Sequence, residues 1–451
     1  MKLERRGYED RAVKEIRSAF TKEGRVLAVG PTGCGKTVVA SMVIRRWPGR
    51  VLFLAHRYEL VDQAYKTLRA LDVDAAVLMA QDEHLHARGN PEARVQVASV
   101  QTVDRRGLPD GISLIVYDEA HRVMADSYQR VATAAPKARA LGLTATPVRM
   151  DGRGLGEFFG SMVTIAKPSE LYADGYLARP RTFTTPTSVL PRLLARLKGV
   201  RSSMGDYAAN AIARAMDTSV LIGNVVSESK RIAPRVPKVV FASGVAHSRR
   251  IVAGFRAERI RAEHLDAATD PQERERILAD LAAGRTEVVS NVDVLSEGWD
   301  LPALGAVVLA RPTRSLGRYL QMVGRVQRPW KDRVPVVIDH GNNAIRHGRL
   351  PDEDIDWSLD SGVEREAAAV PVMKSCVGCA LVIPGGCTTC PDCGVDQPMD
   401  RREAEKQEIA ARLEEANRKR IDEIRGRVLA VAKTKGATRG WVERVVAGLA
   451  G

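Results

Sequence analysis

Short, mainly apolar runs recur along the first third of the chain, at 26–29, 51–55, 95–99, 114–117 and 140–144, each closed by small or polar residues. Runs of this length without alternation are strands buried on both faces. Helical periodicity fills the gaps between them, and strand–helix alternation predicts a parallel sheet covered on both sides, with ligands gathering at the strands' carboxyl ends. The pattern restarts at 238–242, 287–290, 306–309 and 335–339, with helices expected near 247–257, 271–283 and 318–328. Between the two series, Pro180, Pro186 and Pro191 interrupt the periodicity and helical segments follow to residue 235, so this stretch is expected to connect two domains. The predicted fold class is α/β: two tandem parallel-sheet domains at 1–178 and 237–360, joined by a connecting segment at 179–236. A cysteine cluster at 371–396 and a charged helical tail at 400–451 follow, with both charge signs alternating from Arg401 to Arg427 as on a solvent-exposed helix, before a short apolar end containing Trp441.

Length and charge narrow the class of protein. A chain of 451 residues suggests about three domains. Its net charge of +14 favours a polyanionic partner, because such a surface concentrates phosphates around it. No apolar run approaches the length of a membrane span, and residues 1–10 are charged where a signal peptide would be apolar, so a cytoplasmic location is expected. Five of the six cysteines fall between Cys376 and Cys393, which in a reducing compartment points to metal rather than disulfides.

The sharpest chemical signal follows the first apolar run. Gly30-Pro31-Thr32-Gly33-Cys34-Gly35-Lys36-Thr37 has the glycines needed to curl a backbone so that its N–H groups face an anion, at the start of a helix whose dipole also favours negative charge. Lys36 is placed to reach the β- and γ-phosphates of a nucleotide such as ATP, and the Thr37 hydroxyl to ligate Mg²⁺. The run at 114–117 delivers Asp118 and Glu119 to another strand end. Phosphoanhydride hydrolysis needs one carboxylate for Mg²⁺ and a second to orient water, and these two fit in that order. Further on, Cys376-Val-Gly-Cys379 and Cys390-Pro-Asp-Cys393 form two CxxC pairs with ten residues between them, close to a zinc ribbon in which four thiolates close a structural Zn²⁺ site. Cys387 forms another CxxC with Cys390, so the quartet can shift, although Gly394 suits the turn after the later pair. An iron–sulfur cluster and free thiols are the alternatives.

Asp118-Glu119-Ala120-His121, Thr144-Ala145-Thr146-Pro147 and Gln321-Met322-Val323-Gly324-Arg325-Val326-Gln327-Arg328, taken with the glycine loop, resemble the superfamily 2 DEAD/DEAH-box helicases and translocases. The resemblance runs from Gly7 to about Arg349. The cysteine cluster, Arg311-Pro312-Thr313-Arg314-Ser315 and Asp339-His340-Gly341-Asn342 make it most similar to bacterial RadD-like and related phage helicases. The resemblance implies two RecA-like domains sharing one ATP. It implies that Arg325 and Arg328 meet the γ-phosphate from the second domain, with Gln321 on the same surface. Gly298 and Asp300 of Glu297-Gly298-Trp299-Asp300 would link nucleotide and nucleic acid sites, and His121, Thr144 and Thr146 would transmit hydrolysis. Nucleic acid contacts fall on His56, Arg57, Gln101, Thr102, Ser243 and His247, whose loops can grip sugar and phosphate without reading bases. Gly7-Tyr8-Glu9-Asp10 resembles the adenine-reading segment, with Glu9 where a glutamine is usual. Ionised glutamate only accepts hydrogen bonds, so selectivity for ATP is the feature this departure touches.

The expected function is thus an ATP-dependent nucleic acid motor, DNA being the favoured substrate, in repair, recombination or replication, with repair or replication proteins as candidate partners of the C-terminal region. A translocase that does not separate strands is the same-class alternative. An ATP-switched nucleic-acid-binding adaptor is the other, against which Glu119 argues, because a switch needs no carboxylate to orient water. Cys34 in the phosphate loop reads as a small filler, His84 and His86 as a solvated loop, and 339–347 as part of the second domain rather than an HNH-type nuclease.

Overall fold

In a computed structural model of the chain, the residues described are 6–78, 90, 92–149, 153–185, 189–200, 202–203, 205–296, 298–348, 353–360, 362–363 and 372–398. Glu297, His84, His86 and the charged tail lie outside them. By contacts the chain divides into two compact units, residues 1–382 and 383–451.

The first unit holds both sheets. Helix α1 (Gly7–Lys22) precedes β1 (Arg25–Val29), α2 (Lys36–Arg45), β2 (Arg50–Ala55), α3 (Tyr58–Ala70), β3 (Ala75–Leu78), β4 (Val95–Ser99), β5 (Ile112–Asp118), β6 (Arg139–Thr144) and β7 (Ser161–Thr164). These seven strands pair in parallel in the order β3-β4-β2-β5-β6-β1-β7. Leu52 and Leu54 face one side of β2 and Val51 and Phe53 the other, and all four are wholly buried, which is why β2 lacks polar alternation. The order reverses beside β1, so β1, β5 and β6 bring their carboxyl ends to one crevice.

The second sheet has the order β12-β13-β11-β14-β15-β8, again parallel. It is built from β8 (Arg181–Thr184), β11 (Lys238–Ala242), β12 (Ala262–Leu265), β13 (Val288–Asn291), β14 (Ala306–Ala310) and β15 (Val336–Asp339). Its edge strand β8 comes from the stretch whose prolines mark it as a connection. Between β8 and β11 lie a helix at Leu190–Leu197, a hairpin of β9 (Ser202–Ser203) and β10 (Asp206–Tyr207), and helices at Ala209–Met216 and Ser219–Ile232. After the second sheet, residues 353–360 run back to the first. Trp357 and Leu359 pack on its core, the Leu359 carbonyl accepts from Gly156 N–H at 2.8 Å, and Asp354 accepts from Ser169 N–H (2.9 Å) and Oγ (2.6 Å).

The first cysteine knuckle docks on the outer edge of the second sheet: Thr184 N–H donates to the Ala380 carbonyl at 2.9 Å, and Phe183 and Leu381 form an antiparallel bridge. In the second unit, Gly394 N–H donates to the Cys390 carbonyl at 3.0 Å. Among the described residues, no helix is long and apolar enough to cross a membrane.

Candidate active site

The loop after β1 curls through Gly33 and Gly35, whose φ angles of 97° and 79° lie where a Cβ is penalised. Gly35 is the N-cap of α2, so the loop's amides and the helix's positive end converge on one point. Lys36 Nζ lies over the loop, donating to the carbonyls of Gly30 (3.1 Å) and Pro31 (3.3 Å). At the end of β5, Asp118 and Glu119 are 6% and 8% exposed, and Glu119 holds a left-handed backbone (φ 50°, ψ 54°) that turns it away from its neighbour. Glu119 N–H donates to Asp118 Oδ1 at 3.1 Å, and Glu119 Oε2 stands 3.4 Å from His121 Nδ1. Two adjacent carboxylates buried this deeply are costly unless cations face them. A triphosphate with Mg²⁺ fits that donor set: Lys36 and the loop amides suit phosphate, and Thr37 with Asp118 suits the metal. At β6, Thr144 Oγ1 accepts from Thr146 N–H (3.1 Å) and donates to its carbonyl (2.8 Å), which locks the Thr144-Ala145-Thr146 turn.

The second sheet faces this loop across a cleft. The helix Leu316–Val323 stops five residues short of the expected end, and Gly324 to Arg328 continue as turns. An unbroken helix would set Arg325 and Arg328 on one face at i, i+3. The break separates them. Arg325 Nη1 donates to the Trp299 carbonyl at 2.5 Å, whereas Arg328 reaches the phosphate loop, where a Cβ on Gly33 would overlap its guanidinium. Arg328 Nε also donates to Asp300 at 3.1 Å. Gly324 comes so close that a Cβ there would stand 2.5 Å from that of Thr32, and one on Gly317 would stand 2.9 Å from Thr146 Oγ1. Gly298 lies beside Glu59 and Leu60 of α3. Gln321 is buried on the helix Leu316–Val323. Lys36, Arg328, Gly324, Asp300 and Thr146 are thereby brought to one interface.

At its other end the loop meets α1. Tyr8 Oη donates to the Cys34 carbonyl at 2.9 Å, Arg6 donates to Tyr8 Oη at 2.9 Å, and the Arg6 guanidinium lies 4.3 Å over the Tyr176 ring. Glu9 is 2% exposed and accepts from Arg6 N–H at 3.1 Å. Burial raises its carboxyl above the usual carboxylate range, against the pull of that hydrogen bond. Burial likewise raises the Cys34 thiol, consistent with a filler rather than a nucleophile.

The six residues expected at nucleic acid divide. Gln101 is exposed and His56 half-buried. Thr102 is buried against Ser99 Oγ (2.8 Å), Ser243 donates to the Ala310 carbonyl (2.9 Å), and His247 Nδ1 accepts from Ser243 N–H (3.3 Å), so these three order loops from within. Arg57 instead bridges the cleft, donating to the carbonyls of Asp293 and Val294 at 2.9 Å each, beside an Arg274–Glu59 ion pair of 2.8 Å. Sequence reasoning missed Asp293, which also holds Arg311 (2.8 Å) and Arg318 (3.3 Å). It missed Asp206 too, a carboxylate in no motif, whose partners become adjacent only in the fold.

His247 and His340 are both nearly inaccessible. Burial pushes their imidazoles down to about 4 and about 3, the Arg250 charge adding to the first against Asp217, and His247 adding to the second. Unfolded, both regain ordinary values near 6.5, so the unfolded chain binds more protons below that pH and stability falls on acidification. Buried Asp339, raised to about 6, works the other way between about pH 6 and 4. From pH 7.5 to 5 these three groups together should cost about 2–3 kcal/mol. A urea midpoint that does not fall over this range would contradict that assignment.

The thiols of Cys376, Cys379, Cys390 and Cys393 all lie within 4.8 Å of one another, an arrangement compatible with a zinc ribbon. Cys376 Sγ accepts N–H bonds from Gly378 (3.3 Å) and Cys379 (3.5 Å), which fixes the first knuckle. Cys387 Sγ lies 3.0 Å from the Thr389 carbonyl and is outside that quartet.

Two parallel sheets, a phosphate loop on one and an arginine reaching it from the other define an ATP-hydrolysing motor of the helicase class. Residues 2–149 match the type III restriction enzyme res subunit family and residues 224–329 the helicase conserved C-terminal domain. The chain is 30% identical over 398 residues to a 51.5 kDa protein of a Lactococcus phage, covering 87% of this chain and 82% of that one. It is 24% identical to the DNA 3'-5' translocase XPB2 of Sulfurisphaera tokodaii, over 75% of this chain and 81% of that one. IRC3 of Saccharomyces cerevisiae is 29% identical over 70% of this chain, but the chain spans only 48% of that relative's length. Among solved structures, the ATP-dependent type ISP restriction-modification enzyme LlaBIII bound to DNA matches 74% of this chain and 27% of its own, at 18% identity and a TM-score of 0.54, a likeness of fold. The chain belongs to the superfamily 2 helicases and translocases.

Proposed function

We propose that this enzyme is a DNA motor of repair, recombination or replication, which turns ATP hydrolysis in the cleft into stepping along a strand. The observation that carries it is Arg328 against Gly33: a group of the second domain at the phosphates of the first couples chemistry to relative movement of the domains. Mg²⁺ offsets the triphosphate's charge when bound. Lys36 orients the phosphates, Glu119 positions the attacking water and takes its proton, and Arg328 meets charge that develops on transfer. His121, 3.4 Å from Glu119, and Thr146, against Gly317, are placed to relay that event. Arg57, Ser243 and His247 serve by holding loops and the closed cleft, and Gln101 by direct contact. A polyanionic partner is favoured by the basic charge and DNA by the DNA-named relatives, and a place near RadD-like and phage helicases is proposed on the cysteine cluster and the motifs at 311–315 and 339–342.

Steady-state ATP hydrolysis with single-stranded DNA, duplex DNA and RNA as competing activators tests this reading, with DNA expected to stimulate most. Hydrolysis indifferent to all three would remove it. A forked-duplex assay separates unwinding from translocation alone.

The four thiols, we further propose, hold one structural Zn²⁺, leaving no ligand position for water, and the ribbon with the tail contacts nucleic acid or repair proteins in the cytoplasm. Metal analysis should find about one zinc per chain, released on Cys390→Ser. Iron, or no metal, would contradict it.

A further inference from the structure

The segment between β8 and β11 carries a small folded insert at 189–216 with a core of its own, Leu193, Leu197, Tyr207, Ile212 and Met216. Its place is specific. Asp206 is 4% exposed and accepts from Thr313 Oγ1 (2.9 Å) and Arg314 N–H (2.8 Å), in the loop after β14. Ala213 packs on Gly244, in the loop after β11, where a Cβ would stand 2.8 Å from it. The insert is thus seated on the carboxyl edge of the second sheet, the edge at which open parallel sheets hold ligands.

Its charge is one-sided. Residues 189–216 contain Arg192, Arg196, Lys198, Arg201 and Arg214 against Asp206 alone, and Asp206 is spent internally. Arg192, Arg196, Lys198 and Arg214 are exposed, and none of them has an ion pair among the described residues. Some exposed cations elsewhere are neutralised, as Arg276 is by Glu263, Glu273 and Asp280, and Lys230 by Glu258. Arg192 and Arg196 stand one turn apart on the same helix face, and Arg196 leans on the Ala215 carbonyl (3.5 Å) next to Arg214. Buried Tyr207 brings two more cations to the insert: the guanidiniums of exposed Arg314 and of Arg346 lie 4.8 and 5.4 Å from its ring. Unpaired like charges clustered in this way repel one another, and a polyanion releases that cost.

We infer that the 189–216 insert is a second phosphate-binding surface for nucleic acid, joined to the motor through Asp206 and Arg314. It rests on the nucleic-acid reading proposed above, and grips backbone without reading sequence. Asp206 positions Arg314; Arg192, Arg196, Lys198 and Arg214 make the contact.

The test is binding of labelled single-stranded and duplex DNA to the full chain over a salt series. Arg192→Gln/Arg196→Gln/Lys198→Gln should weaken binding about tenfold or more, and make the dependence of log affinity on log salt shallower by about 2–3. Lys198→Gln alone should shallow it by about 1. An unchanged thermal midpoint certifies the fold, and the single variant stands in if the triple one unfolds. A loss on only one DNA form supports the inference and says which form the surface holds. Affinity and slope equal to the parent's overturn it while leaving the motor intact. A parent that binds neither DNA form overturns the motor reading, and this inference with it.

Discussion

Replacing Arg328 with alanine should lower nucleic-acid-stimulated ATP hydrolysis by about 10³-fold or more, the usual worth of an arginine that meets transferring phosphate from across an interface. Its position gives the reason. The guanidinium already lies against Gly33, on the loop whose lysine we propose holds the phosphates, and its Nε is oriented by Asp300 at 3.1 Å. The loss should fall on kcat more than on KM, because charge at that site grows only as the bond breaks. Arg328→Lys should recover little, since an ammonium lacks the planar fork. Hydrolysis within about tenfold of the parent's would mean that Arg328 is a structural cation.

Glu119→Gln should cost about 10²- to 10⁴-fold in the same assay, the range for a positioned general base. The amide keeps the shape but cannot take a proton from water. Nucleotide binding should survive, because Lys36 and the loop amides are untouched, so the variant should hold ATP without turning it over. Single-turnover hydrolysis as fast as the parent's would remove Glu119 from catalysis, and with it the argument against an ATP-switched adaptor.

The phosphate loop was legible because geometry leaves it little choice. Backbone that must curl around an anion needs glycine where φ is positive, so Gly33 and Gly35 declare themselves in the sequence. Long apolar strands such as β2 and β14 are equally plain. Strands β7, β8 and β12 have four residues each and mix polar with apolar positions, as in Arg181-Thr-Phe-Thr184, and β3 is apolar but as short, so periodicity has too little to work on. The role of Arg57 was hidden for another reason. Its partners are main-chain carbonyls at 293 and 294, which any side chains would supply. Asp206 is similar: its importance lies in Thr313 and Arg314, about a hundred residues away. The turn that parts Arg325 from Arg328 follows helix periodicity no further than Val323, and Gly324 against Thr32 shows why the backbone has to be bare there.

The central claim is that one triphosphate is completed by both sheets. It is tested most directly by amide hydrogen exchange in Glu119→Gln protein, with and without ATP and Mg²⁺, on two peptides: one spanning residues 30–37, the other 321–328. The account predicts that ATP slows exchange in both, and that Arg328→Ala added to the same protein confines the slowing to the first. Protection that never reaches 321–328 would contradict it.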